Sequence, residues 1–325
     1  MAQQVIAIPG SSAEHEAELV VREITKGADD VAIIILARRD DDELPAWEPG
    51  AHIDVILDGG LVRQYSLCGA PADRQHYRIG VLREPSSRGG SKAMHDLVVG
   101  DKIRVRGPRN HFRLVEASRY QFIAAGIGIT PILPMIAAVE GHGLDWSLVY
   151  GGRRRSSMAF LPELASYGDR VVAVPQDEHG LIDLDAILGR VTADTAVYCC
   201  GPPTLLDAVE SRFPADVPAN VHSERFEAKE QEPVDPESTF DVVLARSGQT
   251  LKVPADKSIF DVCLEAGIDV MGSCFEGVCG TCETGVLDGD VEHRDSILNP
   301  QERESNEYMM ICVSRCKSAQ LTLDL

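Results

Sequence analysis

The chain has 325 residues, 44% hydrophobic and 25% charged, which leaves room for two or three domains, each with its own core. Its net charge of -20 disfavours nucleic acid and anionic membrane surfaces, which would repel it, and favours a protein partner with a basic docking face. The opening MAQQVIAIPGSSAEHEAEL has neither the basic region nor the long apolar run of a secretory signal, so a cytoplasmic chain is expected.

Short extended runs such as HIDVIL (52–57) and HYRIGVL (76–82), split by glycine and polar turns, predict a small antiparallel β-barrel over 1–116. RQYSLCG begins at Arg63, and SSRGGSKAMHD follows about twenty residues later. An arginine, a glycine pair and a serine can gather around one phosphate, while Tyr65 can lie against a flat ring. Taken singly, they read more often as a surface arginine and a core tyrosine. Gly107, Pro108 and the following RNHFRL place the end of this domain near Glu116.

Next, YQFIAAGIGITPILPM predicts a strand over 120–125, a turn at Gly126 and Gly128, and a helix from about Pro131. Its 18 charge-free residues, 122–139, have the length of a membrane span. Gly126, Gly128, Pro131 and Pro134 interrupt them, so a buried strand, turn and helix are expected instead. A second strand, turn and helix, AVYCCGPPTLLDAVESRF, carries Cys200, Gly201 and Pro202 at its strand end. Two such turns in one parallel sheet make a crevice for a dinucleotide, with the pyrophosphate at a helix N-terminus. The alternative is tight βα turns without a ligand. LVYGGRRRSSMAF offers Arg153, Arg154, Arg155, Ser156 and Ser157, a set suited to a 2′-phosphate or to a solvated basic loop. This α/β domain is expected over 117–226.

EAKEQEPVDPES is acidic and proline-bearing, and it predicts a linker over 227–238. Beyond it, over 239–325, Phe240, Val242 and Leu244 alternate as a strand, Gly248 and Gln249 turn, and Leu251 and Val253 return. Ser258 and Asp261 form a capping box that opens a helix ending at Gly267. CFEGVCGTC then places Cys274, Cys279 and Cys282 in a C-x4-C-x2-C spacing, and Cys312 follows a later apolar strand. That is the spacing of plant-type [2Fe-2S] ferredoxins, with a zinc knuckle as the alternative. Gly277 and Gly280 give the loop room to wrap two irons. Cys263 and Cys316 fall outside the spacing and read as packing residues.

With RQYSLC, RGGS, AGIGITP, CCGP and the four cysteines in that order, the whole chain resembles the phthalate dioxygenase reductase family, the reductase components of class IA Rieske oxygenase systems. The resemblance implies FMN, NAD(P)H and [2Fe-2S] domains, the last a β-grasp ferredoxin, acting with a separate terminal Rieske non-haem iron oxygenase on a small aromatic substrate. It implies flavin contacts for Arg63, Tyr65, Ser66, Leu67, Val81, Leu82, Arg83, Gly89, Gly90 and Ser91. Nucleotide contacts fall to Gly126, Gly128, Thr130, Pro131, Arg153, Arg154, Cys200, Gly201 and Pro202. Phe226 would cover the flavin, and Cys274, Cys279, Cys282 and Cys312 would be the cluster ligands. Ser66, Thr130, Cys200 and Phe226 would surround the hydride path. Ala125 stands where family members often have glycine, and Leu82 where a relative has lysine, so a backbone contact is expected at Leu82.

A nicotinamide yields two electrons at once and the cluster takes one, so the flavin belongs between them. No side-chain acid or base is expected to be essential for that hydride transfer. NADH is the expected donor, with NADPH the alternative, and the chain is expected to be a monomer. A redox sensor would not need a hydride path, and a reductase serving an acceptor of another fold would keep all three motifs. No Cys-x-His pair for a Rieske centre of its own occurs in the chain.

Overall fold

The computed structural model describes residues 15–85, 89–213, 220–229 and 239–325. The start of the chain, Arg88 of the RGGS stretch and 230–238 of the expected linker lie outside the described residues. The chain divides into two compact units, Met1–Glu224 and Arg225–Leu325, so both nucleotide-binding regions expected from sequence share the first unit.

The first unit opens with six antiparallel strands, β1 (Glu16–Ala28), β2 (Val31–Ala37), β3 (His52–Ile56), β4 (Val62–Ser66), β5 (Tyr77–Leu82) and β6 (Lys102–Arg109), in the order β4-β3-β6-β1-β2-β5. An isolated bridge from Leu67 to Ile79 joins the two ends of that order. Alternation puts Ile34, Ile53, Val55 and Ile79 on the inner face with no exposed surface. Each such side chain contributes about 1.5–3 kcal/mol of burial. A short helix, α1 (Gly90–His95), follows β5.

A five-stranded parallel sheet completes the unit: β7 (Arg119–Ala125), β8 (Asp145–Gly152), β9 (Val171–Pro175), β10 (Thr195–Cys200) and β11 (Val221–Glu224), in the order β11-β10-β7-β8-β9. Strand β10 is buried at every position, as a parallel strand covered on both faces must be. One apolar layer holds Phe122, Ile132, Tyr150 and Tyr198, and the other Ile123, Val197, Cys199 and Leu206. The crossovers carry α2 (Ile129–Gly141), α3 (Leu161–Leu164), α4 (Gln176–His179), α5 (Leu184–Leu188) and α6 (Pro203–Glu210). Residues 122–139 are the strand, turn and helix expected, and no helix among the described residues is long and apolar enough to cross a membrane. The helix begins at Ile129, ahead of the expected Pro131, because a proline in the first turn loses only an N–H that has no partner there.

The second unit holds β12 (Phe240–Leu244), β13 (Gln249–Val253), α7 (Ile259–Glu265), β14 (Glu283–Asp288), β15 (Val291–Glu292), α8 (Pro300–Ser305), β16 (Tyr308–Met310), β17 (Arg315–Cys316) and β18 (Gln320–Leu323). Its main sheet runs β13-β12-β18-β14-β16, with β12 and β18 parallel. The Ser258–Asp261 capping box forms as expected, and Gly267 ends that helix at φ +75°. Its core is separate, built on Phe240, Val242, Phe260, Met309 and Leu321. Cys263 and Cys316 pack within it.

Candidate functional site

On the antiparallel sheet, Arg63 and Gly90 meet. A Cβ on Gly90 would lie 2.7 Å from the arginine's Cγ and Nε, so glycine lets the chain pass across the side chain. Gly89, at φ +104°, makes the turn into α1, and Ser91 Oγ accepts from the Glu84 N–H at 3.1 Å. Arg83 reaches a cleft it shares with Asp30, Glu84 and Lys92. Tyr65 is half-buried against the core, and burial pushes its hydroxyl above the usual range despite Arg63. Leu67 and Val81 are fully buried. Leu82 pairs with Val31 and packs on the neighbouring core.

The two glycine turns of the parallel sheet are built against each other. Gly126 takes φ +56°, a left-handed value, and its carbonyl accepts from the Tyr150 hydroxyl at 3.1 Å. A Cβ on Gly128 would fall 2.3 Å from the Cys200 carbonyl oxygen and 2.6 Å from the Gly201 nitrogen. A Cβ on Gly201 would stand 3.1 Å from that of Ala125. The alanine in a place often held by glycine is therefore accommodated by a glycine opposite it. Thr130 is buried, and its hydroxyl donates to the Ile127 carbonyl at 2.9 Å. Pro131 is also buried, and Pro202 precedes α6 in extended conformation.

The halves of the first unit are joined beside this crevice. Arg78 pairs with Glu163 through both carboxylate oxygens, at 3.3 and 2.9 Å, and lies over the Phe160 ring. Gly80 lets Thr130 approach, since a Cβ there would meet Thr130 Cγ2 at 2.8 Å. Two expected residues from opposite halves, Ser66 and Cys200, converge on Glu224, which the sequence reading did not single out. Ser66 Oγ lies 3.5 Å from Glu224 Oε2, and Cys200 Sγ lies 4.0 Å from the same oxygen. Burial pushes the Glu224 carboxyl up to about 8, although the Ser66 hydroxyl draws it down. Burial, then the nearby Glu224 and Cys199, hold the Cys200 thiol well above its usual range. At neutral pH both groups keep their protons. The overlooked signal was register: β10 pairs with β11 so that Cys200 faces Glu224, the last residue before Arg225 and Phe226.

In the second unit, Cys279 and Cys282 are buried, while Cys274 and Cys312 are partly exposed. The thiols perturb one another. Cys274, then burial, pushes the Cys279 thiol up. The bond to Cys274 draws Cys312 down, but Cys282 and burial together leave it at about 12. Four cysteines brought together on one loop suit a metal centre, which binds thiolates and releases their protons. Gly277 and Gly280 take φ +69° and +71°. At Gly277 a Cβ would also meet Val313 at 2.7 Å and the Asp295 backbone at 3.0 Å, so handedness and the packed underside both require glycine. The Glu276 N–H donates to Cys274 Sγ at 3.3 Å. Phe226 opens this unit and is 42% exposed.

Residues 122–211 match the family described as "Oxidoreductase NAD-binding domain", and 242–317 the "2Fe-2S iron-sulfur cluster binding domain". The chain is 46% identical over 310 residues to the phenoxybenzoate dioxygenase subunit beta of Ectopseudomonas oleovorans, covering 94% of this chain and 97% of that one. Among solved structures, an intact type IV self-sufficient cytochrome P450 monooxygenase matches 95% of this chain at 43% identity and TM-score 0.88. This chain spans only 41% of that protein. Phthalate dioxygenase reductase, described as a modular structure for electron transfer from pyridine nucleotides to [2Fe-2S], matches at 34% identity and TM-score 0.66 over 95% of this chain and 98% of its own. Matched along nearly its whole length, with its thiol loop and paired glycine turns in place, the chain belongs to the phthalate dioxygenase reductase family.

Proposed function

We propose that this chain is the reductase component of a Rieske-type oxygenase system, oxidising NADH and delivering single electrons to a separate terminal oxygenase. The observation that carries this reading is the convergence of Ser66 and Cys200, from the antiparallel and parallel sheets, on the Glu224 carboxyl, with a four-cysteine loop on the same chain. When bound, flavin and cluster together split the hydride pair of NADH into single electrons.

The chain's own residues position and shield. The six-stranded sheet is read as a flavin barrel, closed by the Leu67–Ile79 bridge, and the second unit as a β-grasp ferredoxin. Arg63, with Gly89, Gly90 and Ser91 beside it, holds the flavin phosphate, and Tyr65 lies along the ring. The backbone of Leu67, Val81, Leu82 and Arg83 lines the ring edge. Gly126 and Gly128 open α2 toward the nucleotide pyrophosphate, and Arg153 and Arg154 lie on its adenosine side. Thr130, Pro131, Gly201 and Pro202 form the walls where nicotinamide and flavin meet. Cys200, neutral and buried, fills space beside the nicotinamide without competing as a nucleophile. Ser66 presents its hydroxyl to flavin N5, and Glu224 keeps a proton behind it. Domains at 1–116, 117–226 and 239–325 with a linker at 227–238 fit these roles, as does a monomer in the cytoplasm.

A second reading has its own support. The P450 likeness favours a haem monooxygenase as the terminal acceptor over a Rieske protein. Both readings require the same first test, anaerobic titration with NADH followed by visible and low-temperature EPR spectra. Bleaching of a flavin band and appearance of a reduced [2Fe-2S] signal is expected. Cys279→Ser is expected to remove the EPR signal and leave the bleaching. A cluster present but unreduced by NADH would overturn both readings in favour of a sensor.

A further inference from the structure

We propose that Glu178 and Asp29 make this chain select NADH, by occupying the basic loop that would otherwise hold the 2′-phosphate of NADPH. The inference rests on the NADH-oxidising function above and names the residues that choose its substrate.

The loop Arg153–Ser157 leaves the carboxyl end of β8, beside the β7 strand whose glycine turn faces the pyrophosphate. In a parallel nucleotide-binding sheet this is where the adenosine ribose lies, and where an acid reads a 2′-hydroxyl or an arginine a 2′-phosphate. From sequence the loop has the composition of a phosphate site. The structure shows the Arg155 guanidinium and the Ser157 hydroxyl already committed to partners within the chain. Arg155 gives both prongs of its guanidinium to Glu178, Nε to Oε1 at 3.2 Å and Nη2 to Oε2 at 2.9 Å. That bidentate geometry is the one a phosphate would need. Ser157 Oγ donates to the Arg154 carbonyl at 2.8 Å and accepts from the Arg154 N–H at 3.3 Å. The Ser156 carbonyl accepts from the Asp29 N–H at 2.9 Å, and Lys26, with the Ser156 hydroxyl after it, holds the Asp29 carboxyl below its usual range.

Two different elements supply these carboxylates. Glu178 lies in α4, directly after β9, the strand next to β8, and the Asp177 N–H there donates to the Arg153 carbonyl at 3.3 Å. Asp29 sits in the turn between β1 and β2 and pairs with Lys26 at 2.8 Å. A 2′-phosphate arriving here would have to displace Glu178 from Arg155 and sit near the charges of Asp177 and Glu178. A 2′-hydroxyl carries no charge to repel and can donate to a carboxylate. The discrimination therefore has an attractive part and a repulsive part, as selective sites generally do.

The pair is solvent-exposed, at 52% and 42%, so much of the selectivity is expected from repulsion rather than from the strength of the pair. Glu178→Gln removes the charge and frees the guanidinium together. The test measures KM and kcat for NADH and NADPH with ferricyanide as acceptor, in the wild type, Glu178→Gln and Glu178→Gln/Arg155→Ala. Competitive inhibition by 5′-AMP and by 2′,5′-ADP is read in parallel, since neither fragment transfers hydride. The wild type is expected to favour NADH and 5′-AMP. Glu178→Gln is expected to lower KM for NADPH and Ki for 2′,5′-ADP by about 5- to 50-fold, with the change in KM rather than kcat. Adding Arg155→Ala is expected to cancel the part of that gain that comes from the freed guanidinium and to leave the part that comes from the lost repulsion. A wild type preferring NADPH, or an unchanged preference in Glu178→Gln, overturns the proposal while NADH oxidation still supports the reductase function. Oxidation of neither nucleotide overturns both.

Discussion

Glu224 is an acid held in its neutral form by its surroundings. It is partly buried at the end of β11, near a serine hydroxyl and a neutral thiol, and no cation is paired with it in the described contacts. Its folded carboxyl is raised to about 8 from an ordinary value of 4.5. Between those two values the folded protein binds more protons than the unfolded chain. The group's contribution to stability is therefore complete below pH 4.5 and is lost as pH rises through 8. Glu224→Gln removes this dependence while preserving shape. Relative to wild type, the variant is expected to gain stability steadily from pH 5 to 8.5, reaching about 2–4 kcal/mol, in urea unfolding of the flavin-loaded protein. A constant difference across that range would mean that Glu224 is already ionised. The same variant is expected to leave the dissociation constant for NADH unchanged.

At the scale of elements, local motifs were legible and long-range juxtapositions were not. The Ser258–Asp261 capping box, the turn at Gly248 and the two glycine turns each occupy a few residues, so short-range sequence carries their full signal. Glu224 is 158 residues from Ser66, and only the pairing of β11 with β10 and the docking of two sheets bring them together. The Arg155 pair is the reverse case: composition fitted a 2′-phosphate site and a solvated basic loop alike, and the carboxylate that pairs with Arg155 comes from the next crossover. The contact between glycine turns gives a direct check. In Gly128→Ala the new methyl meets the Cys200 backbone at 2.3 Å, and neither turn can retreat without disturbing a strand that is buried along its length. A loss of about 3 kcal/mol or more is expected in the urea midpoint, with weaker binding of 5′-AMP. The connection into the sheet offers a second case. The Tyr198 hydroxyl donates to the Arg113 carbonyl at 2.8 Å and accepts from the Val115 N–H at 2.7 Å, clamping the segment that leads to β7. Tyr198→Phe leaves that backbone N–H without its acceptor, and a cost of about 1–3 kcal/mol is expected in the same measurement.

For the whole molecule, charge sets how electrons leave. A net charge of -20 surrounds a cluster loop in which two of the four cysteines, Cys274 and Cys312, reach the surface. Asp269 and Glu276 lie close to Cys274 in the chain, and Phe275, between Cys274 and Glu276, is 54% exposed at φ +56°. Two kinds of docking could use such a surface. Charge would steer a basic acceptor from a distance, and its effect would fade as the screening length falls from about 30 Å at 0.01 M salt to about 8 Å at 0.15 M. Apolar contact through Phe275 and its neighbour Met271, 48% exposed, would be nearly indifferent to salt. The magnitude of the net charge favours steering. With cytochrome c as a basic one-electron acceptor, the second-order rate of its reduction is expected to fall about 10- to 100-fold between 0.01 and 0.3 M salt. The limiting rate of flavin reduction at saturating NADH, an event inside an already formed complex, is expected to stay constant over the same range. If the acceptor rate proves flat and Phe275→Ala lowers it, docking is apolar and the net charge acts only to keep the chain soluble.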